Sequence, residues 1–131
     1  MLGRPAEPPR PSATFRRFER MSRREDFVRA RGEGRRRAGR RLVVWARFRE
    51  EVPPRPSRMG LVVGRRHGLA VRRVLFKRRV REAFRLHKES FPRGWDFVVM
   101  PRTSDGKEKF PASFQELEGD FLRLVREAVG K

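Results

Sequence analysis

The side chains best placed to do chemistry in this chain are arginines and lysines, and the chemistry open to them is to hold phosphate. Eight of them, Arg65, Arg66, Arg72, Arg73, Lys77, Arg78, Arg79 and Arg81, fall between positions 65 and 81, with no acid among them. So many like charges repel one another unless a polyanion or solvent neutralises them, so the stretch is best explained by what it binds. Groups suited to acid–base or metal chemistry are scarce. Of the two histidines, His87 falls on the packing side of its helix, and His67 sits in a basic turn where it could touch RNA. The carboxylates show no D-x-D, H-E-x-x-H or paired-acid arrangement that would hold a metal ion or hydrolyse a bond. Zero cysteines exclude disulfides and Cys-based zinc sites. Glu82 is placed to pair with Arg78 or Arg85 within its helix. The residues predict a binder with no catalytic side chain of its own.

The cations are carried by the run from Gly60 to Glu89, which reads as a short strand, a glycine turn (Gly64 to Gly68) and one long basic helix. At about 100° per residue, Phe76, Val80, Ala83, Phe84 and His87 share one side of that helix, and Arg78, Arg81 and Arg85 lie opposite. One face packs and the other is left to a phosphate backbone. Val74 and Leu75 fall on the Arg78 side, with Arg72 and Arg79 on its flank.

Elements upstream and downstream would supply the platform. Ser22-Arg23-Arg24-Glu25 fits a capping box and predicts a helix from about Arg23 to Arg31, with Phe27 as its apolar anchor and Gly32 and Gly34 stopping it. Arg41 to Phe48 alternates as a strand, with Leu42, Val44, Ala46 and Phe48 facing the core and Val43, Trp45 and Arg47 on an open face. Trp45 beside Arg47 is a stacking and phosphate site there, or else ordinary packing. A proline-rich loop, residues 50–57, turns the chain into a second strand from Arg58 to Val63, expected antiparallel to the first. A breaker at Phe91-Pro92-Arg93-Gly94 leads to a third strand from Trp95 to Met100, and a polar loop runs from Pro101 to Phe110. Ser113-Phe114-Gln115-Glu116 caps a last helix with Leu117, Phe121, Leu124, Val125 and Ala128 on one face. That helix is expected to cover the sheet.

Composition bounds the reading. With 131 residues and 37% hydrophobic content the chain makes one domain with a modest core. A formal net charge of +19 calls for an anionic partner, and nucleic acid leads. From Asp105 to Lys131 six acids meet five bases, so the excess lies upstream. No run approaches a membrane span and no apolar signal core opens the sequence, which points to a cytoplasmic protein. Binding to a membrane surface is disfavoured because the apolar side of the basic helix is committed to a core. Residues 1–20 form a basic, Pro-rich extension, with Met1 to about Ser12 too poor in hydrophobes to order and Phe15 and Phe18 docking its end on the domain. Residues 21–131 form the domain.

The same residues carry a family resemblance. Ala70-Val71-x-Arg73, Lys77-Arg78 and Arg81-Glu82-Ala83-Phe84-Arg85, after the Gly-basic-basic-x-Gly turn, resemble the protein subunit of bacterial ribonuclease P. So do Arg24-Glu25-Asp26-Phe27 and Gly34-Arg35, and the likeness runs from about Met21 to Val129. The family's Arg-Asn-Arg motif reads Arg73-Val74-Leu75 here, its Ser after the strand is Gly64, and its aromatic four residues after Phe27 is Arg31. The resemblance implies an α+β domain with a small mixed sheet of three to four strands, αβββαβα order and a left-handed βαβ crossover. It implies a subunit that assists a catalytic RNA in removing the 5′ leader of precursor tRNA. The partners implied are the ribonuclease P RNA subunit and precursor tRNA, with no obligate protein partner. Divalent metal, Mg, belongs to the RNA-containing holoenzyme, and no cofactor is bound by the protein alone. By position, Arg65, Arg66, Arg72, Arg73, Lys77, Arg78, Arg79 and Arg81 would meet the catalytic RNA, and Phe27, Trp45 and Arg47 the leader. A structural RNA-binding protein, such as a small ribosomal protein, would use the same arginines. An autonomous metal-dependent nuclease would cut without RNA.

Overall fold

The computed structural model describes residues 19–102 and 110–130. The expectations for Met1 to Ser12, for docking by Phe15 and Phe18, and for most of the loop from Pro101 to Phe110 lie outside the described residues. The elements are α1 (Arg24–Glu33), β1 (Arg35–Ala38), β2 (Leu42–Phe48), β3 (Arg58–Leu61), α2 (Ala70–His87), β4 (Trp95–Pro101) and α3 (Phe114–Gly130). This is the expected αβββαβα order. The four strands form one mixed sheet ordered β1-β2-β4-β3, in which β2 runs antiparallel to β1 and β4 while β3 runs parallel to β4.

That order corrects the expected pairing of β3 with β2. β4 sits between them, matched to β2 over the whole of Leu42–Phe48. Nine residues, 49–57, join β2 to β3, longer than the two to five or so of a tight hairpin, and they let the chain pass the place β4 will fill. α2 is then the crossover between the neighbouring parallel strands β3 and β4. β1 was implied by the resemblance alone, since Arg35-Arg36-Arg37-Ala38 has no apolar alternation. It forms as an edge strand, where charged side chains can turn to solvent. The opposite edge is partly covered, because Arg20 bridges to Met59 and the Met21 N–H donates to the Met59 carbonyl at 3.1 Å.

The two capping boxes fare differently. Ahead of α3, the Glu116 N–H donates to Ser113 Oγ at 3.2 Å and the Ser113 N–H to Glu116 Oε1 at 3.4 Å, as expected. Ahead of α1 no such box forms. The N-cap is Arg23, whose side chain makes no capping bond. α1 also runs past Arg31 to Glu33, stopping at Gly34, whose N–H donates to the Ala30 carbonyl at 2.9 Å. A side chain at Gly34 would collide with the carbonyls of Ala30 and Ala46.

Helices cover both faces of the sheet. On one face Leu42, Val44 and Ala46 of β2 and Phe97 and Val99 of β4 meet Phe76, Val80, Ala83 and Phe84 of α2 and the expected apolar stripe of α3. Full burial of each large side chain contributes about 1.5–3 kcal/mol. On the other face Val43, Trp45 and Val98 lie under Met21 and Ala30 of the α1 segment. Phe48, expected in the core, is 44% exposed at the end of β2 and leans on the Trp95 ring.

At the β3 side of the sheet one buried carboxylate gathers several elements. Asp96 of β4 is fully buried. Arg49 Nη1 donates to it at 2.6 Å, and Arg58 donates through Nε at 2.8 Å and Nη2 at 2.7 Å. Arg58 also reaches Asp26 of α1 at 3.4 Å, and Arg49 holds the Pro56 carbonyl at 2.8 Å. The hydrogen bonds to Asp96 raise the Arg58 pKa above the usual arginine value. Removing one partner of a buried pair leaves the other charge uncompensated. Asp96→Ala should therefore cost about 3–5 kcal/mol in urea denaturation, and a loss below about 1 kcal/mol, that of an exposed pair, would show that the cluster does not hold the fold.

Candidate nucleic-acid interface

The basic turn is built around His67. Residues Arg65–His67 form one 3-10 turn closed by Gly68, which adopts a φ of 129° that L side chains rarely reach. His67 is not available to RNA, contrary to expectation. It is 7% exposed, its Nδ1 accepts the Gly64 N–H at 2.9 Å, and its Nε2 is buried without a hydrogen-bond partner among the described residues. Burial, the charge of Arg66 and then that of Arg73 push its pKa below the ordinary histidine value. The ring braces the turn, so that Arg65 and Arg66 project outward.

α2 begins at the end of this turn with no side-chain cap at Leu69 and no acid in its first turn. Its positive dipole end therefore adds to the potential of Arg65, Arg66, Arg72 and Arg73 instead of being offset. The expected core face is confirmed, with Phe76, Val80, Ala83 and Phe84 buried, while His87 is half-buried with Nε2 2.7 Å from Glu118 of α3. Glu82 takes Arg85, not Arg78, as its partner.

The eight cations divide by what else they do. Arg65, Arg72 and Arg78 stand exposed. Arg73 Nε donates to the Gly68 carbonyl at 3.0 Å and Arg66 leans on the Met100 sulfur, so these two also brace the turn. Arg79 Nη1 donates to the Ala112 carbonyl at 2.5 Å, tying α2 to the segment that leads into α3. Lys77 and Arg81 line a cavity beside β3. Among the exposed cations lie apolar side chains in the open, Leu69, Val71 and Val74, and Leu75 is half-buried.

The opposite face of the sheet carries the residues expected at the leader. Trp45, Val98 and Gly60 form one row across β2, β4 and β3, with Arg36 of β1 at its end. Phe27 lies against Gly60, where an added Cβ would meet its ring carbons at 2.5 Å. Phe27 and Trp45 thus share a face but stand two strands apart, about 10 Å. Trp45 does not lie open, as expected from alternation alone. It is 7% exposed, α1 covers it, and the guanidinium groups of Arg31 and Arg36 sit 4.7 and 5.9 Å from its ring centre. Arg31 stands where the resembled family has an aromatic, one helical turn after Phe27, while Arg36, which faces Trp45 in register, was not singled out from sequence. Arg47 is engaged by Glu33 at 3.0 Å and lies 4.0 Å from Asp96.

Among the described residues no group of three or more His, Asp or Glu could hold a metal ion, and no helix is long and apolar enough to cross a membrane. The arrangement defines a small α+β protein of the RNA-binding kind, with its basic side chains set on a sheet-and-helix frame. The sequence model of the family described as Ribonuclease P matches residues 15–128. The ribonuclease P protein component of Oleidesulfovibrio alaskensis is 43% identical over 110 residues, 82% of this chain and 84% of that one. That of Thermotoga maritima is 37% identical over 117 residues, 89% and 97% of the two chains. The solved structure of the Thermotoga maritima protein superposes with a TM-score of 0.71 at 36% identity, covering 83% of this chain and 96% of that one. A Staphylococcus aureus RNase P protein mutant gives 0.71 at 26% identity, covering 85% and 88%. The chain belongs to the ribonuclease P protein family and is an RNA-binding subunit of that ribonucleoprotein endoribonuclease.

The brace at His67 makes turn stability depend on pH. Because the folded pKa lies below the ordinary value of about 6.5, the unfolded chain takes up a proton first, and the stabilisation is complete above about pH 6.5 and lost as pH falls through the folded pKa. Urea denaturation of the wild type and of His67→Gln, followed from about pH 7.5 to about pH 5, should show the stability difference shrinking on acidification. A difference independent of pH would mean that His67 is not held neutral.

Proposed function

We propose that this chain binds the catalytic RNA of ribonuclease P through the turn and the outward face of α2, and the unpaired 5′ leader of precursor tRNA on the α1 side of the sheet. The observation that carries this is the pairing of two cationic surfaces on one frame: Arg65, Arg72 and Arg78 on one side, Arg31 and Arg36 over Trp45 on the other. Folded RNA is met by shape and phosphate contacts, and single strands by stacking on aromatic rings or guanidinium planes. With Trp45 covered, leader bases would stack on Arg31 and Arg36, the indole fixing their planes from behind. Arg47, engaged by Glu33, would contribute through charge. A ribosomal-type binder would need the first surface alone.

The chemistry is that of the RNA. The described carboxylates do not fit a divalent ion, so Mg in the holoenzyme would be held by RNA phosphates. The protein neutralises phosphate charge, which lowers the demand for metal at the assembled site. The cytoplasm, where precursor tRNA is processed, is the expected compartment.

Mixing the protein with bacterial ribonuclease P RNA and precursor tRNA at low magnesium should raise cleavage above that of RNA alone. No gain would overturn the reading. The two flanks of α2 also separate. Arg78→Ala should lower the magnitude of the log-affinity against log-salt slope for the catalytic RNA by about 0.7–0.9. Arg79→Ala, which removes a bond to Ala112, should instead lower stability by about 1 kcal/mol with a smaller change of slope. Equal slopes for the two variants would place Arg79 on phosphate.

A further inference from the structure

Where α2 passes the edge of the sheet, a cavity of about 140 Å³ opens between Phe27, Gly60 of β3, and Lys77 and Arg81 of α2. We propose that it is a binding site for one unstacked nucleotide of the substrate's single strand, which makes Lys77 and Arg81 substrate-binding residues and not contacts of the catalytic RNA. This rests on the leader reading above and extends it from the face of the sheet around its edge.

The lining divides by chemistry. Phe27, Met21, Met59 and Leu61 give an apolar wall with one aromatic ring, and Gly60 lets that ring lie directly on the strand. Among the described residues Lys77, Arg81 and Arg20 give a rim of three cations, and no carboxylate lines the space. The charged ends of Lys77 and Arg81 make no hydrogen bond or ion pair among the described residues. Partial burial, and then the nearby charge of Arg20, pull the Arg81 pKa below the usual arginine value. A cation in that position is stabilised by an arriving anion.

An apolar wall beside a ring of cations suits a base and its phosphate together. The ring and thioethers take the face of a base, and the ammonium and guanidinium groups take the phosphate at the mouth. The space falls below the roughly 300–1,000 Å³ of a pocket that encloses a whole drug-sized molecule, so the sugar and phosphate stay outside. A base in a duplex is stacked and paired and cannot enter, which selects single strands. Inorganic phosphate would meet the rim but gain nothing from the wall. The position also explains a feature of the basic helix. Lys77 and Arg81 are one turn apart on the flank facing β3, away from Arg72 and Arg79, so one helix can serve two RNA chains on two flanks.

The test assembles wild-type protein, Lys77→Ala, Arg81→Ala and Phe27→Leu with bacterial ribonuclease P RNA. Dissociation constants are measured for precursor tRNA with a leader, for mature tRNA without one, and for the protein with the catalytic RNA alone. Stacking of one base is worth about five- to hundredfold in affinity. Each variant should lose affinity in that range for the leader-bearing substrate, and stay within about twofold of wild type for mature tRNA and for catalytic RNA. A loss for catalytic RNA, with the leader-dependent difference intact, would overturn the proposal by returning Lys77 and Arg81 to the RNA subunit. So would a loss confined to the two charge variants that inorganic phosphate competes away, since the cavity wall would then be idle. If wild type itself fails to distinguish leader-bearing from mature tRNA, the leader reading falls, whatever the variants do.

Discussion

A single carboxylate holds the cationic chain in its shape. Asp96 is fully buried at the start of β4, and the arginines that converge on it come from β3 and from the end of β2, with Asp26 of α1 joined through Arg58. Burying a charge is costly unless it is paired and its hydrogen bonds are filled. Here the bidentate Arg58 and the Arg49 bond fill them. The strand order, the path of residues 50–57 and the seat of α1 all depend on that point. The wall of the cavity at β3 and the seat of Phe27 on Gly60 follow from it.

The remaining charge is sorted by the same logic. Acids are placed where the frame must be tied: Asp120 receives the backbone N–H groups of Arg41 and Leu42 at 2.8 and 3.0 Å, and Lys88 pairs with Glu19 at 2.7 Å. None is placed in the turn or the first turn of α2. The repulsion concentrated there is unfavourable to folding, and the burial of Phe76, Val80 and Phe84 against α3 and the sheet offsets it. The basic end of α2 therefore stays unneutralised by acids in the free protein, and a bound polyanion would relieve it.

Local pattern made much of this legible in the chain, and non-local geometry hid the rest. The apolar faces of α2 and α3, the capping box at Ser113 and the glycine turn could be read because a helix or a turn is decided within a few residues. The alternation of β2 was equally visible, but alternation says which residues share a face and not what covers it, so Trp45 was expected in the open. Strand partners are settled by elements far apart in sequence, and the place of β4 between β2 and β3 left no local trace. β1, with three arginines, follows no hydrophobic pattern at all. The interface was legible as a set of cations. Its division into exposed, bracing, tethering and cavity-lining members required the positions of Gly68, Met100, Ala112 and β3.

The two edges of the sheet are guarded against strand-by-strand growth by unlike means. At β3 the chain itself covers part of the edge, through the bridge from Arg20 to Met59 and the Met21 N–H. At β1 no further strand pairs among the described residues, and the edge carries Arg35, Arg36 and Arg37 in succession. An exposed edge is a template for aggregation, and charge is one way of blunting it. The first barrier is made of backbone hydrogen bonds and is indifferent to salt. The second is a Coulomb barrier that weakens as ions screen it. Self-association of the free protein is thus resisted least at β1 in concentrated salt, and an RNA that coats β1 substitutes its own bulk for the repulsion it removes.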